Sequence, residues 1–176
     1  MLNISNKYRL HNVESYRPIR LDGLTRCGDL RMPIKKQEFY EGAALHIIAR
    51  AGGPLDIRYD APFFLLNNGL AVLLKYSTKG RSPWGFTFTI DEQRVLRQKA
   101  AELKTAIGLI CGADGVAAFE YELYASISGA RNAAVHIACY RNHGEYYEVK
   151  GPEGVSDRKI APSNWQRIIE VLGSGR

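Results

Sequence analysis

The stretch from Lys75 to Trp84 carries the side chains best suited to binding a polyanion. It places Lys75, Lys79 and Arg81 among three hydroxyl residues and one glycine. Cations neutralise phosphates, hydroxyl and backbone N–H groups donate hydrogen bonds to them, and a ring such as that of Trp84 stacks on an exposed base. The stretch therefore predicts a nucleic-acid-binding loop. The alternative is a solvated hairpin loop with Trp84 in the core.

The distribution of charge along the chain favours the first of these interpretations. The 176 residues carry 24 Lys and Arg against 18 Asp and Glu, a formal charge of +6. Residues 75–104 hold seven bases and three acids, which adds Arg94 and Arg97 to the candidate binding residues. Residues 105–130 hold three acids and no Lys or Arg. Positive charge concentrated in one part of the sequence favours a nucleic-acid partner, with DNA expected over RNA. The alternative is a solvated basic face that binds no partner.

Other site chemistries lack their sequence patterns. The three cysteines form no C-x-x-C pair, which disfavours structural zinc and a disulfide scaffold and predicts reduced thiols in a cytoplasmic protein. His136 and Cys139 stand three residues apart on a predicted strand, so they point to opposite faces and are a poor catalytic pair. Neither a Walker loop nor a Gly-x-Ser-x-Gly elbow is present. No apolar run reaches the ~18–20 residues of a membrane span, so no membrane association and no secretory signal are expected.

The length fits one domain, and hydrophobic periodicity divides it into helices and strands. An irregular arm is predicted over residues 1–34. The elements that follow are a helix over 35–51, strands over 55–66 (kinked at Pro62), 70–77 and 84–90, a helix over 91–104, short strands over 107–111 and 116–119, a helical turn over 121–127, a hairpin of 133–141 with 145–150, and a last helix from Ser163 to about Leu172.

The order helix, three strands, helix, strand over residues 35–111 resembles the core of the PD-(D/E)xK nuclease-like superfamily. The resemblance implies an α+β single domain over 35–176, with a restriction-endonuclease-like core. Its central sheet would be mixed or antiparallel and flanked by helices. Residues 112–176 would then be a C-terminal extension formed by a hairpin and a helix. Other α+β sandwiches with an antiparallel hairpin are the alternative folds.

The resemblance also implies where a catalytic site would lie. The family places a Glu on its first helix, an acid at the start of its second strand and an acid-x-Lys triplet on its third. These positions match Glu41, Asp60 and Lys75, where the two carboxylates would hold Mg²⁺ and the lysine would orient water or steady the phosphate.

The chain departs from that pattern on its central strand. Leu73 stands two residues before Lys75, and residues 70–77 contain no carboxylate. We therefore expect a nuclease-like protein that binds nucleic acid without cutting it and without a metal cofactor. An active Mg²⁺-dependent endonuclease using Glu41, Asp60 and Lys75 is the alternative. A further interpretation is that these three residues are simply surface or paired residues.

Tyrosines are concentrated in the last third of the chain, and alternation along strands must turn some of them outward. An outward tyrosine face favours recognition, so a homodimer or a protein partner without nucleic acid is a third functional hypothesis. The last helix, through Trp165 and Ile168, is expected to cover part of this face. The tyrosines concerned are Tyr121, Tyr124, Tyr140, Tyr146 and Tyr147.

Overall fold

The structure, a computed structural model, describes residues 33–50 and 54–172, with only the backbone described at 171 and 172. The predicted N-terminal arm, apart from its last two residues, lies outside the described residues. The described residues from Ile34 onward belong to one compact unit. This unit is α+β, as predicted, with a mixed sheet of five strands and an antiparallel sheet of four.

Helices in the described residues coincide closely with those predicted from periodicity. The best-defined start is at Thr89, whose hydroxyl accepts from the backbone N–H of Glu92 while the Glu92 carboxylate accepts from the backbone N–H of Thr89. This is the capping box that the sequence predicts. The helices are α1 (Lys36–Arg50), α2 (Ile90–Glu102), α3 (Tyr121–Ser128) and α4 (Asn164–Leu172).

The five-stranded sheet is ordered β1-β2-β3-β5-β6, with β3 parallel to β5 and the other neighbours antiparallel. The predicted strand over 55–66 is two strands, because the chain turns at Ala61 and Pro62 and Asp60 pairs with Phe63. The strands are β1 (Ile57–Asp60), β2 (Phe63–Leu66), β3 (Leu70–Ser77), β5 (Lys104–Cys111) and β6 (Val116–Glu120).

The four-stranded sheet is ordered β4-β7-β8-β9 and is antiparallel throughout. The predicted third core strand belongs here, since β4 pairs with β7 of the C-terminal hairpin and not with β3. The strands are β4 (Trp84–Phe88), β7 (Val135–Tyr140), β8 (Glu148–Gly151) and β9 (Gly154–Val155).

The two sheets pack face to face, and alternation along each strand supplies the core between them. On β3, Ala71 and Leu73 point into this core, as do Trp84, Phe86 and Phe88 of β4. Helices α2 and α3 contribute to the same core. We call this side of the five-stranded sheet its inner face.

The other side of the five-stranded sheet, its helical face, is covered by α1 and α4. Val72 of β3 packs there with Ala44 of α1 and with Trp165 and Ile168 of α4. The expectation that α4 covers the tyrosine-rich hairpin is therefore wrong, since its apolar side chains join the core on the helical face. Among the helices of the described ranges, none combines the length and apolar character needed to cross a membrane.

Candidate nucleic-acid interface

Three connections meet at one end of the two sheets, which we call the loop end: residues 78–83, 112–115 and 141–147. Residues 78–83 form the basic loop predicted from the sequence. The parallel strands β3 and β5 both finish here, because Ser77 pairs with Cys111. Carboxyl ends of parallel strands are frequent ligand sites in sheets flanked by helices.

The backbone of the basic loop is held from both sides. The Trp84 indole Nε1 donates to the Lys79 carbonyl at 2.8 Å, and the Gly112 backbone N–H donates to the Ser77 carbonyl at 3.0 Å. Gly112 has φ +58°, and a Cβ added there would lie 2.6 Å from the Lys79 oxygen. Only glycine therefore allows the 112–115 turn to approach the loop this closely.

A polar cluster joins the other two connections of the loop end. The Arg141 guanidinium lies 2.7 Å from an Asp114 carboxylate oxygen, which also accepts from the Tyr147 hydroxyl at 2.9 Å. The backbone N–H of Arg141 donates to the Ser82 hydroxyl of the basic loop at 3.0 Å. Burial raises the pKa of Tyr147, and its hydrogen bond to Asp114 raises it further, so Tyr147 stays a neutral donor. The cluster thus ties all three connections together.

Two cations of the basic loop have no carboxylate partner in the part of the chain that the structure describes. Lys79 and Arg81 are exposed, and among the ion pairs of residues 33–50 and 54–172 neither is a member. The Lys79 ammonium donates instead to the Pro83 carbonyl at 2.9 Å, which leaves its charge intact. The loop end therefore presents two unneutralised cations on a fixed backbone.

The other predicted binding residues lie elsewhere or are occupied. Trp84 is 3% exposed and belongs to the core between the sheets, so the expected stacking on a base is wrong. Lys75 is engaged by Glu92 at 2.6 Å. Arg94 pairs with Asp91 on the surface of α2. Arg97, also on α2, is exposed beside a small cavity and does not belong to the loop end.

The predicted catalytic residues do not come together. Asp60 and Lys75 both lie on the inner face, where Asp60 pairs with Lys99 of α2 at 3.2 Å. Glu41 lies on α1, which packs on the helical face. The five-stranded sheet therefore separates Glu41 from the other two residues. A single Mg²⁺ ion could not contact the carboxylates of both Glu41 and Asp60, because they lie on opposite faces of this sheet.

Each of the three residues has a local role of its own. Glu41 is 7% exposed and accepts from Gln37 at 2.8 Å beside a cavity of about 380 Å³. Burial raises the pKa of Glu41, and the Gln37 hydrogen bond only partly opposes this. Asp60, already paired with Lys99, joins β1 to α2. Such contacts fit a structural role for the three side chains.

The acid-x-Lys pattern that the resemblance implies fails at Lys75 in both possible alignments. If Lys75 is the lysine of the pattern, Leu73 stands where the acid is required; if the pattern is shifted by two residues, Lys75 itself stands there. Its ammonium lies 4.9 Å from the Phe88 ring centroid and bonds to Glu92, the same residue that caps α2. Burial opposes ionisation of Glu92, but hydrogen bonds from Lys75 and Thr89 outweigh it and lower its pKa. Lys75 thus fixes the start of α2 against β3.

No group of three or more His, Cys, Asp or Glu side chains in the described ranges is arranged to hold a metal ion. Cys111 and Cys139 are free and buried in the core between the sheets. The neighbouring Cys139 thiol and burial both raise the pKa of Cys111, which leaves it unreactive as a nucleophile. Cys139 faces inward and His136 outward, the opposite orientations that their spacing predicts. Cys27 lies outside the described residues.

Comparison with protein-family models, curated proteins and solved structures finds no match to this chain. Sequence reasoning found the basic loop but missed Asp114 and Arg141, which hold it, and it named Tyr147 only among the tyrosines of a recognition face, whereas Tyr147 is buried and bonds to Asp114. The glycine-bounded turn 112–115 was the available signal, because a tight turn between two buried strands fixes an acid such as Asp114 in place.

Proposed function

We propose that this protein binds nucleic acid, DNA in preference to RNA, through the cations of its loop end. One observation carries the proposal: Lys79 and Arg81 are exposed, have no carboxylate partner within residues 33–50 and 54–172, and stand on a loop whose backbone is held by Trp84, Gly112 and the Arg141 cluster. A fixed loop loses little conformational entropy on binding, so more of the phosphate attraction appears as affinity. The free, buried thiols support a reducing, cytoplasmic setting for this activity.

The proposal predicts that removing both loop cations weakens binding about 10- to 100-fold at moderate salt, because two phosphate contacts and the counterion release that accompanies them are lost. Each phosphate contact also contributes about 0.9 to the magnitude of the slope of log affinity against log salt. The variant is Lys79→Ala with Arg81→Ala, titrated against a labelled duplex at several salt concentrations. The slope should fall by about 1.8 if both side chains contact phosphates.

A charge-matched control is offered by Arg58 and Lys104. Both are exposed, and both lie near the end of β3 and β5 opposite the loop end, where Leu70 pairs with Lys104. Arg58→Ala with Lys104→Ala removes the same charge and should leave affinity within about threefold, the long-range effect of net charge alone. Equal losses in the two double variants would contradict a binding site at the loop end. Affinity that does not fall with added salt would contradict phosphate contact altogether.

We propose further that the fold is a PD-(D/E)xK-like core that has lost its catalytic set and uses no Mg²⁺. The order α1, β1–β2 hairpin, β3, α2 and β5 parallel to β3 supports the likeness, with β4 of the other sheet inserted before α2. The carboxylate-free β3 supports the loss. A sheet that separates Glu41 from Asp60 and Lys75 is a second reason to expect no two-carboxylate metal site.

Purified protein is therefore expected to leave supercoiled plasmid and single-stranded DNA intact with Mg²⁺ or Mn²⁺, as in a protein-free blank. Mobility on an agarose gel measures this directly. Metal-dependent cutting that disappears in Asp60→Asn would overturn the proposed loss of catalysis and restore Asp60 as a metal ligand.

A further inference from the structure

The four-stranded sheet has one face in the core and one face that no described helix covers. Alternation turns Trp84, Phe86 and Phe88 inward, and the residues between them outward. We call the outward side the open face. Its exposed side chains include Thr87, His136, Tyr140, Lys150 and Val155, with the half-buried Ala138 at its centre.

Two ring side chains lie on β7, which pairs with β4, the strand that follows the basic loop. His136 and Tyr140 are four residues apart and therefore share the open face, about 13 Å from each other along the strand. Between them lies Ala138, whose register partners are Gly85 on β4 and Lys150 on β8. Because Ala138 and Gly85 are small, the surface beside the two rings is low, and planar nucleobases can lie against it.

The His136 ring is held in place across the strands. A Cβ at Gly85 would lie 2.8 Å from the His136 Cε1 and 3.0 Å from its Nε2, so one edge of the imidazole occupies the space above this glycine. The His136 Nδ1 lies 3.4 Å from the Thr87 hydroxyl. The ring is therefore positioned by its neighbours while remaining exposed.

Charge on and beside the open face suits a phosphate backbone. Lys150 stands at its centre opposite Ala138 and has no carboxylate partner among the ion pairs of the described chain. The basic loop leads directly into β4, and its Ser82 contacts Arg141 next to Tyr140. Among the described strand residues of this face, the one carboxylate is Glu148, paired in register with Tyr140. The positive charges on and beside this face exceed the single negative charge of Glu148, since they come from Lys150, Lys79 and Arg81.

We propose that the open face binds single-stranded nucleic acid, with bases stacked on His136 and Tyr140 and the phosphates directed to Lys150 and the basic loop. This inference rests on the proposed nucleic-acid binding and specifies its ligand as single-stranded nucleic acid. Rings on a flat sheet need unpaired bases, because the bases of a duplex are already stacked within the helix. A duplex would reach only the cations.

The test measures fluorescence anisotropy of a labelled oligo(dT) of about 20 nucleotides, long enough to span more than one stacking site, and of a matching duplex. His136→Ala and Tyr140→Ala should each weaken oligo(dT) binding about tenfold, and Tyr140→Phe should restore it. Gly85→Ala should also weaken it, because the new methyl group displaces the imidazole from its position. Tyr59→Ala, an exposed strand tyrosine outside the open face, is the matched control and should bind as wild type.

The outcomes separate this inference from the function on which it rests. If the His136 and Tyr140 variants bind oligo(dT) as wild type while Lys79→Ala with Arg81→Ala loses duplex binding, the single-strand platform is overturned and the proposed function stands. If neither probe binds wild-type protein, both fall. If no probe binds and Tyr140→Ala converts a dimer to a monomer on a sizing column, the open face is an interface between copies of this chain.

Discussion

Replacing Gly112 by alanine is expected to lower the free energy of unfolding by about 2–5 kcal/mol. A left-handed backbone costs a non-glycine residue roughly 1–2 kcal/mol, and forcing a methyl group into a filled space costs about 1–3 kcal/mol more. Both terms apply, because Gly112 has φ +58° and its Cβ would lie 2.6 Å from the Lys79 carbonyl oxygen. That oxygen belongs to backbone, so no side-chain rotation relieves the contact. Urea unfolding measures the loss.

The same substitution should weaken nucleic-acid binding about five- to tenfold in protein that is still folded. The Lys79 carbonyl accepts from the Trp84 indole, and displacing it releases the basic loop from that anchor. A released loop must be ordered again on binding, at about 0.5–1.5 kcal/mol for each side chain that becomes fixed. Anisotropy titrations at temperatures where both proteins are folded give the ratio of dissociation constants.

Gly144 supplies the control for Gly112. It also has a positive φ, +78°, but nothing lies within 4 Å of a Cβ placed there. Gly144→Ala should therefore cost only about 1 kcal/mol of backbone strain. Equal destabilisation by the two substitutions, with binding unchanged in both, would show that the Gly112 contact does not hold the basic loop.

Local sequence signals predicted most elements because they act within a few residues. The Thr89 and Glu92 capping box is complete within four positions, and alternation from Trp84 to Phe88 marks a strand. Alternation also placed Trp84 on the face shared by Phe86 and Phe88, which was a signal for its burial that the basic surroundings obscured. A binding loop beside a tryptophan does not make the tryptophan part of the binding surface.

Pairing between distant segments could not be predicted in this way. Alternation shows which residues of β4 share a face but does not show whether the strand pairs with β3 or with β7. The ion pair of Lys75 with Glu92 spans 17 positions, and that of Arg141 with Asp114 spans 27. Charged residues have many candidate partners at such separations, so only the folded sheets select one. Those selected contacts decide that Lys75 anchors α2 and that the basic loop is held.

The C-terminal helix illustrates the same limit. The apolar side chains of Trp165 and Ile168 showed that α4 must pack, but both the hairpin and the five-stranded sheet offered a surface. The five-stranded sheet is the partner, and Trp165 lies against it: a Cβ added at Gly108 of β5 would be 3.5 Å from the Trp165 ring, an ordinary van der Waals distance. The Trp165 indole also donates to the Ala44 carbonyl of α1 at 2.8 Å. This placement leaves the open face uncovered by α4.

Trp165→Ala should therefore destabilise the protein by about 3–5 kcal/mol, the usual cost of emptying a buried aromatic site. Trp165 is 1% exposed and is the largest fully buried side chain in the described part of the chain. Trp165→Phe keeps most of the volume but removes the indole hydrogen bond to the Ala44 carbonyl, at about 0.5–1.5 kcal/mol. Urea unfolding of the two variants separates the packing contribution from that of the hydrogen bond.

The Trp165→Phe variant also tests where the binding surface lies. Because α4 packs on the helical face, its repacking should change oligo(dT) and duplex affinities by less than about twofold at temperatures where the variant is folded. A large loss of binding in folded Trp165→Phe would connect α4 to the interface and contradict a site formed by the loop end and the open face. Unchanged binding alongside a clear loss of stability would assign α1 and α4 to support of the sheet, and recognition to its opposite side.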